Sequence, residues 1–401
     1  TATIWATYQL GRTLYDDNDN ITPLLAAFFI TFTMLHTTNS AWATTDVATS
    51  FWLVLFLWLL LKTLTADSLK FAVGAGCALG LLVGSKYTGG IALLPLFIMI
   101  IHSERQKRPQ ANWLHTLGRF AINKHLWTIG LVSLALFFLT TPGILLYPQA
   151  LLESVRFESE RISSYRLPFY APAIYQDQLS DLADSIGWPL MTAALLGLLF
   201  PFRQRRTFIW SLVTLLLAFS LYFGESMAHR YFILIMPILA LLAADFLTST
   251  LTTPSPPLRW VAIAALAIVA TYSVYYTTAA AISRYPETRL AAVRYIEDEV
   301  PAGATIGIAY VAPKYGWQTH AWRYPTIDFG RNPYQEFLTN PDYIILSSYD
   351  FDPIRTTLQS GTLNPDYALP ERAHRTKRRD RYGLRPEQER SSAQSTCTAF
   401  I

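Results

Sequence analysis

Apolar residues run through this chain in long unbroken blocks, not in the alternating spacing of a soluble amphipathic protein. The blocks cover residues 1–10, 21–36, 47–64, 69–84, 88–101, 126–147, 187–202, 207–223, 231–247 and 259–281. A bilayer span takes about 20 mostly apolar residues, with a range of roughly 17–25. The pattern therefore predicts nine to ten membrane-spanning helices in residues 1–282. Short blocks, above all 88–101, are expected to be tilted, re-entrant or shielded by protein. Block 1–10 reads as the second half of a span and opens on Thr1, so the chain is expected to lack its first spans.

Beyond residue 282 the pattern changes. Residues 287–299 carry Leu290, Val293 and Ile296 at helical spacing among charges, and 304–311 and 342–347 read as short buried strands. The prediction is an all-α polytopic membrane domain, 1–282, followed by a small α/β extension on the extracytoplasmic side, 283–368. Residues 369–401 are basic, polar and aperiodic and predict a disordered tail, a composition that a frameshifted C-terminus would share. No internal repeat is visible.

Composition supports the membrane class. Of 401 residues 52% are hydrophobic and only 15% charged, against about 25% charged in soluble domains. The 11 Trp and 22 Tyr fit rings anchored at a membrane interface. The net charge of +4 owes part of its value to the tail and gives no reason to expect nucleic acid. Two cysteines, Cys77 and Cys397, make no disulfide framework.

Lysine and arginine in alternate loops orient the spans. One set holds Arg12, Lys62, Lys70, Arg105, Lys107, Arg108, Arg119, Lys124, Arg203, Arg205, Arg206 and Arg259; the other holds only Lys86, Arg156, Arg161, Arg166 and Arg230. The first set is assigned to the cytoplasm. Asp46, the long loop 148–186 and everything after about 282 are then extracytoplasmic.

Asp46 ends a polar stretch, His36-Thr-Thr-Asn39-Ser-Ala-Trp-Ala-Thr-Thr-Asp46, between two apolar blocks. A carboxylate at the mouth of a membrane helix is costly and usually has a task. It can cap the helix and complement its dipole, or orient or deprotonate a substrate; the two are compatible. His36, Asn39 and Thr45 lie within reach in sequence, as partners for Asp46 or for a sugar hydroxyl.

Lys86 sits in Gly84-Ser-Lys86-Tyr87-Thr-Gly-Gly90, on the cation-poor side. It either snorkels to headgroups or binds an anionic group, most simply a phosphate, with glycines permitting close backbone approach. Arg230, preceded by His229, either pairs with Glu225 or forms a second phosphate clamp, since guanidinium matches phosphate oxygens in a bidentate way. Arg156, Arg161 and Arg166, with Tyr165, Tyr170 and Tyr175, form either an interfacial segment touching lipid headgroups or a cover that contacts substrate. Asp16-Asp17-Asn18-Asp19 is similar to acidic metal–nucleotide motifs, but Asp/Asn turns arise for local hydrogen-bonding reasons. No Cys/His cluster has zinc spacing and no Gly-rich nucleotide loop is present.

The segment from His36 through Asp46-Val47 resembles the acidic outside motif of GT-C membrane glycosyltransferases. The closer likeness is to family 39, which includes protein O-mannosyltransferases and aminoarabinose transferases. Ala78-Leu-Gly80-Leu-Leu-Val-Gly-Ser-Lys86-Tyr87 is similar to the family's helix ending in a Lys-Tyr turn. Gly187-Trp188-Pro189-Leu190 is similar to its helix start after a long loop, and His229-Arg230-Tyr231 through Pro237 to its Arg-Tyr-then-proline helix. The likeness spans roughly residues 1–350.

The resemblance implies transfer of a sugar from a polyprenyl-phosphate carrier to a protein, glycan or lipid acceptor at the outer face of a plasma membrane, most simply a bacterial one. Asp46 would be the catalytic carboxylate of the second acidic motif. Lys86 and Arg230 would neutralise the lipid phosphate, with Tyr87, His229, Asn39, Arg161 and Arg166 as further substrate-binding candidates. The family's first outside acidic motif has no counterpart here. No cofactor is firmly implied, although a divalent metal is possible. The alternative reading is a transporter or flippase of a lipid-linked or anionic substrate, which predicts ionisable residues at mid-membrane depth and paired broken helices.

Overall fold

The computed structural model describes residues 1–15, 19–41, 43–149, 152–153, 156, 172–199, 229–282, 288–308, 326–328 and 342–345. The chain divides into two units, Thr1–Ala281 and Ile282–Ile401.

The first unit is helical. Its elements are α1 (Ala2–Leu14), α2 (Ile21–Thr31), α3 (Met34–Ala41), α4 (Thr45–Ala66), α5 (Leu69–Ser85), a 3₁₀ segment Tyr87–Ala92, α6 (Leu93–Lys107), α7 (Trp113–Ala121), α8 (Lys124–Thr140), α9 (Gly143–Leu146), α10 (Pro172–Ile186), α11 (Trp188–Leu199), a second 3₁₀ segment His229–Ile235, α12 (Met236–Leu251) and α13 (Pro256–Ile282). Four helical stretches among the described residues are long and apolar enough to cross a membrane: Thr45–Ala66, Tyr87–Lys107, Arg230–Leu251 and Pro256–Ile282. Counting bent pairs as single spans raises this to seven. Block 207–223 lies outside the described residues.

Block 88–101 begins within the 3₁₀ segment Tyr87–Ala92 and gains its length at the other end, where α6 continues to Lys107, so that the helical stretch Tyr87–Lys107 reaches 21 residues. The broken spans have a local cause and a local remedy. Between α2 and α3 the axis bends by 57°, which strands backbone carbonyls where no water can satisfy them. Thr277 Oγ1 on α13 donates to Phe32 O at 2.7 Å, and Thr37 Oγ1 donates to Thr31 O at 2.9 Å. Between α10 and α11 the bend is 116°. It is made by Gly187 at φ +86°, where a Cβ would also lie 2.7 Å from the Tyr272 ring.

The apolar side chains of α4 and α12 fill the core: Leu53, Phe56, Leu57 and Leu60 from α4, and Ile238, Ala243 and Ala244 from α12, are all inaccessible to solvent. By contrast α13 leaves most of its apolar surface exposed, as expected of a peripheral helix facing lipid. The helix α5 packs between α4 and α8. Its stripe Gly76, Gly80 and Gly84 is the small-residue spacing that lets membrane helices approach closely. A Cβ at Gly76 would lie 2.9 Å from Ile129 O, one at Gly80 2.7 Å from Ser133 O, and one at Gly84 2.8 Å from Thr140 Oγ1. This stripe was legible in the sequence and was not singled out there. Threonines inside the helices bond back to carbonyls four residues earlier, as Thr33 does to Phe29 and Thr63 to Leu59; this satisfies their hydroxyls without a partner helix.

In the second unit, the described residues form α14 (Thr288–Glu299) and three short strands, β1 (Ile306–Ile308), β2 (Thr326–Asp328) and β3 (Tyr343–Ile345). The strands make a parallel sheet in the order β2-β1-β3, with Ile306 opposite Thr326 and Tyr343. Asp342 starts β3 by accepting from Thr305 N at 2.8 Å.

Candidate active site at the mouth of α4

Asp46 lies in the first turn of α4, where Thr44 supplies an extended N-cap backbone and the helix dipole favours a negative charge. The residue is only 8% exposed. Its carboxylate accepts from Lys86 Nζ and forms an ion pair with it. Lys86 occupies the junction between α5 and the 3₁₀ segment Tyr87–Ala92, with an extended backbone of φ −161°. That break in the helix turns its side chain toward the neighbouring helix mouth. The ammonium also stands 4.1 Å from the centroid of the Tyr231 ring, in the second 3₁₀ segment. The Arg230 guanidinium lies 5.5 Å from the same ring.

Asp46 and Lys86, from two distant segments, are thus paired, and Tyr231, the chain neighbour of Arg230, brings its ring against Lys86. Tyr231 was quoted only as part of a motif; a ring beside an arginine at a span mouth was the signal that pointed to it. The arrangement is a buried carboxylate matched by a cation, with a second, exposed cation, Arg230, near the ring. An anion entering there meets donors already oriented for it.

The remaining candidates fall around this centre in different ways. Asn39 is buried, and its side chain is used within α3, where Nδ2 donates to Leu35 O at 2.9 Å; its backbone carbonyl accepts from Thr44 N. His36 is 3% exposed, and its Nε2 has no hydrogen-bond partner. The same holds for the hydroxyls of Thr44 and Ser50 at the start of α4; Ser50 follows Asp46 by four residues and so shares its face. Buried polar atoms ordinarily have partners, so these three are the places where a polar ligand or a water would be most readily accepted. Tyr87 is more than half exposed and turns edge-on to Phe137 of α8, 6.5 Å between centroids. His229 begins the second 3₁₀ segment. Arg161 and Arg166 lie outside the described residues.

Asp19, from the acidic turn Asp16-Asp17-Asn18-Asp19, caps α2. Its carboxylate accepts from Ile21 N and Thr22 N at 3.1 and 3.0 Å, and from Thr22 Oγ1 at 2.7 Å. Asp16, Asp17 and Asn18 lie outside the described residues. Asp245 was not anticipated: it is 2% exposed within α12, a helix otherwise made of apolar residues, threonines and Ser249. As to a divalent metal, no group of three or more His, Cys, Asp or Glu stands together among the described residues. Asp46 brings one carboxylate, and Lys86 already neutralises it. Such a site does not by itself make the oxygen-rich set that a hard divalent ion takes.

Residues 1–137 match the family described as dolichyl-phosphate-mannose-protein mannosyltransferase. The N-terminal third of the chain is similar to a mannosyltransferase family. Asp46, Lys86 and the glycine stripe of α5 fall inside the match; Tyr231 and Arg230 fall outside it. This agrees with the likeness read from the motifs around Asp46 and Lys86. No curated protein matches the chain. Among solved structures, the oligosaccharyltransferase of Archaeoglobus fulgidus, in complex with Zn and sulfate, is similar at 15% identity and a TM-score of 0.45, over 80% of this chain and 48% of that one. The chain therefore spans about half the length of that protein.

Proposed function

We propose that this chain is part of a membrane glycosyltransferase that moves a sugar from a polyprenyl-phosphate carrier to an acceptor hydroxyl at the extracytoplasmic face. The observation that carries the reading is the cluster of Asp46, Lys86 and Tyr231, whose first two members lie in the segment similar to a mannosyltransferase family.

The chemistry follows from the charges. The acceptor oxygen attacks the anomeric carbon, the bond from that carbon to the phosphate oxygen breaks, and the electron pair leaves on the phosphate. Lys86 and Arg230 stabilise that growing charge, the electrostatic contribution expected to be largest. Asp46 takes the proton of the acceptor hydroxyl, a general-base role worth typically 10²–10⁴-fold. Asp46 and Lys86 satisfy each other. A donor phosphate that draws Lys86 to itself releases the carboxylate to act as base, so donor binding and base activation are coupled and the donor binds first.

The test is sugar transfer by the full-length protein in liposomes, with a panel of polyprenyl-phosphate sugars. Transfer lost in Lys86→Ala and Asp46→Asn is the expected result. No transfer or hydrolysis with any donor, or full activity in both variants, overturns the reading.

A second reading, movement of a lipid-linked substrate across the bilayer, draws support from two features. Three helix pairs among the described residues are bent, at 57°, 43° and 116°, and Asp245 is an ionisable residue buried within a span. Passage of an unaltered substrate across sealed vesicles would favour it over the transferase.

A further inference from the structure

At the opposite end of the helices from Asp46, on the face that the Lys/Arg count assigns to the cytoplasm, α6 runs into a polar turn and the short helix α7. We propose that α7 and the arginines at the end of α6 form a binding surface for anionic phospholipid, with the lipid phosphate held between Arg105 and Arg108.

Four observations place the parts. First, α7 is fastened to α6 along one side. Glu104 accepts from Asn123 Nδ2 at 2.8 Å and pairs with Lys107 at 3.1 Å and Arg119 at 3.9 Å, while Phe120 packs edge-on against Phe97. This occupies Glu104, while Asp67, the other carboxylate at this end, is taken by Lys124 and His125, and it sets which edge of α7 faces out.

Second, the outward edge is apolar. Leu114 is 80% exposed, and Leu117 and Trp113 are also exposed. The same surface continues past the Asn123 cap onto α8 through Ile122, Trp127, Leu131 and Leu134. Because α8 is the membrane-crossing half of this bent pair, the continuity identifies the occupant as the bilayer. An amphipathic helix with Trp and Leu on one edge and cations beside them is the pattern of a segment seated in the headgroup layer.

Third, the cations left over converge. The Arg105 guanidinium stacks on the Trp113 ring at 4.2 Å, and its Nη1 is buried with no partner. A guanidinium nitrogen so placed is an orphaned donor, which proteins rarely tolerate, and a phosphate oxygen is its natural acceptor.

Fourth, an open cavity of about 690 Å³ lies beside it, lined by Arg108, Pro109, Gln110, Ala111, Asn112 and His115. Arg108 Nη1 is 3.1 Å from His115 Nε2. Arginine only donates, so this histidine nitrogen is the acceptor of the pair.

The experiment uses the full chain in nanodiscs of phosphatidylcholine alone, or of two parts phosphatidylcholine to one part phosphatidylglycerol. Amide hydrogen exchange over residues 113–121 is the readout. A basic residue near an anionic surface is worth roughly a fivefold change in affinity, so phosphatidylglycerol should raise protection of these amides by about 25-fold for the two arginines. Arg105→Gln with Arg108→Gln should return it to the neutral-lipid value. Arg105→Lys with Arg108→Lys, which keeps the charge, should retain most of the gain, and Arg259→Gln, a cation away from the cluster, all of it. Equal protection in the two lipids, or a gain that survives the glutamine substitutions, overturns the proposal. So does an equal gain from inorganic phosphate in neutral nanodiscs, which would assign the cavity to free phosphate.

Discussion

The two ends of α4 each carry an aspartate, and they solve opposite problems. Asp46 sits where the helix dipole welcomes a negative charge, yet burial in the bundle strips it of water. Asp67, 21 positions later, is the C-cap, with φ 47° and ψ 41°, where the dipole is unfavourable and the left-handed backbone is itself uncommon for a residue with a side chain. It remains 65% exposed and takes two partners, His125 Nε2 at 2.5 Å and Lys124 Nζ at 3.3 Å. The same residue type therefore has much at stake at one end and little at the other. What separates the ends is solvent: an exposed ion pair is worth about 0–1 kcal/mol, whereas breaking a buried one costs about 3–5 kcal/mol.

The largest expected effect tests that separation directly. Lys86→Ala leaves Asp46 buried without its cation. The loss should fall toward the lower part of the about 3–5 kcal/mol range, because the Lys86 side chain is still 25% exposed. Sugar transfer should fall by at least about 10²-fold, the scale on which removal of one charge-stabilising donor is felt. Pairing Lys86→Ala with Asp46→Asn removes the stranded charge, so thermal stability should largely return while transfer does not. Recovery of both together would show the pair to be structural only.

Next in size is Gly80→Val. Its Cβ meets the Ser133 carbonyl at 2.7 Å and forces α5 away from α8, at about 1–3 kcal/mol for overpacking. Since α5 carries Lys86 and α8 carries Lys124 and His125, this change should disturb both ends of α4 at once. A melting temperature that drops while transfer by the remaining folded protein stays normal would mean that helix spacing does not position Lys86.

What was legible in advance divides along the same physical line. Asp46, Lys86 and Arg230 were visible one at a time, because a charge at the end of an apolar block is conspicuous in sequence. Their meeting was not, since Asp46 and Lys86 are 40 residues apart and their contact depends on how α4, α5 and the second 3₁₀ segment pack. The Gly76–Gly80–Gly84 spacing stood in the sequence, but it has meaning only once a helix is known to face it. Block 88–101 read as short because the helix continues through the polar residues 102–107, which hydropathy does not count toward a span. Asp245 escaped because one carboxylate late in a long apolar run barely shifts the average. Asp19 became a cap only when the start of α2 was located.

Tyr231 offers a finer test of the buried end. Tyr231→Leu removes the ring from beneath Lys86, an effect of about 0.5–2 kcal/mol for a cation–π contact, while Tyr231→Phe keeps the ring and isolates the contribution of the hydroxyl. If the ring also steers Lys86 between Asp46 and the donor phosphate, Tyr231→Leu should raise the KM for donor more than it lowers kcat, and Tyr231→Phe should leave both near the parent values. A fall in kcat alone, with KM unchanged, would assign the ring to the chemical step instead.

The smallest effect is expected at Asp67, and its pH dependence has a definite sign. The hydrogen bond from His125, and then the bond and charge of Lys124, hold this carboxyl below its ordinary value of 3.8. A group whose folded pKa is depressed adds stability that is fully present above the unfolded value and is lost as pH falls through the folded one. Asp67→Asn should therefore lower the melting temperature slightly at neutral pH. The gap to the parent protein should begin to close as pH drops below about 4 and vanish once Asp67 is protonated in the folded state. Added salt should narrow the same gap at neutral pH, because the carboxylate faces water. A gap that stays constant on acidification would mean that Asp67 acts through its backbone conformation and not through charge.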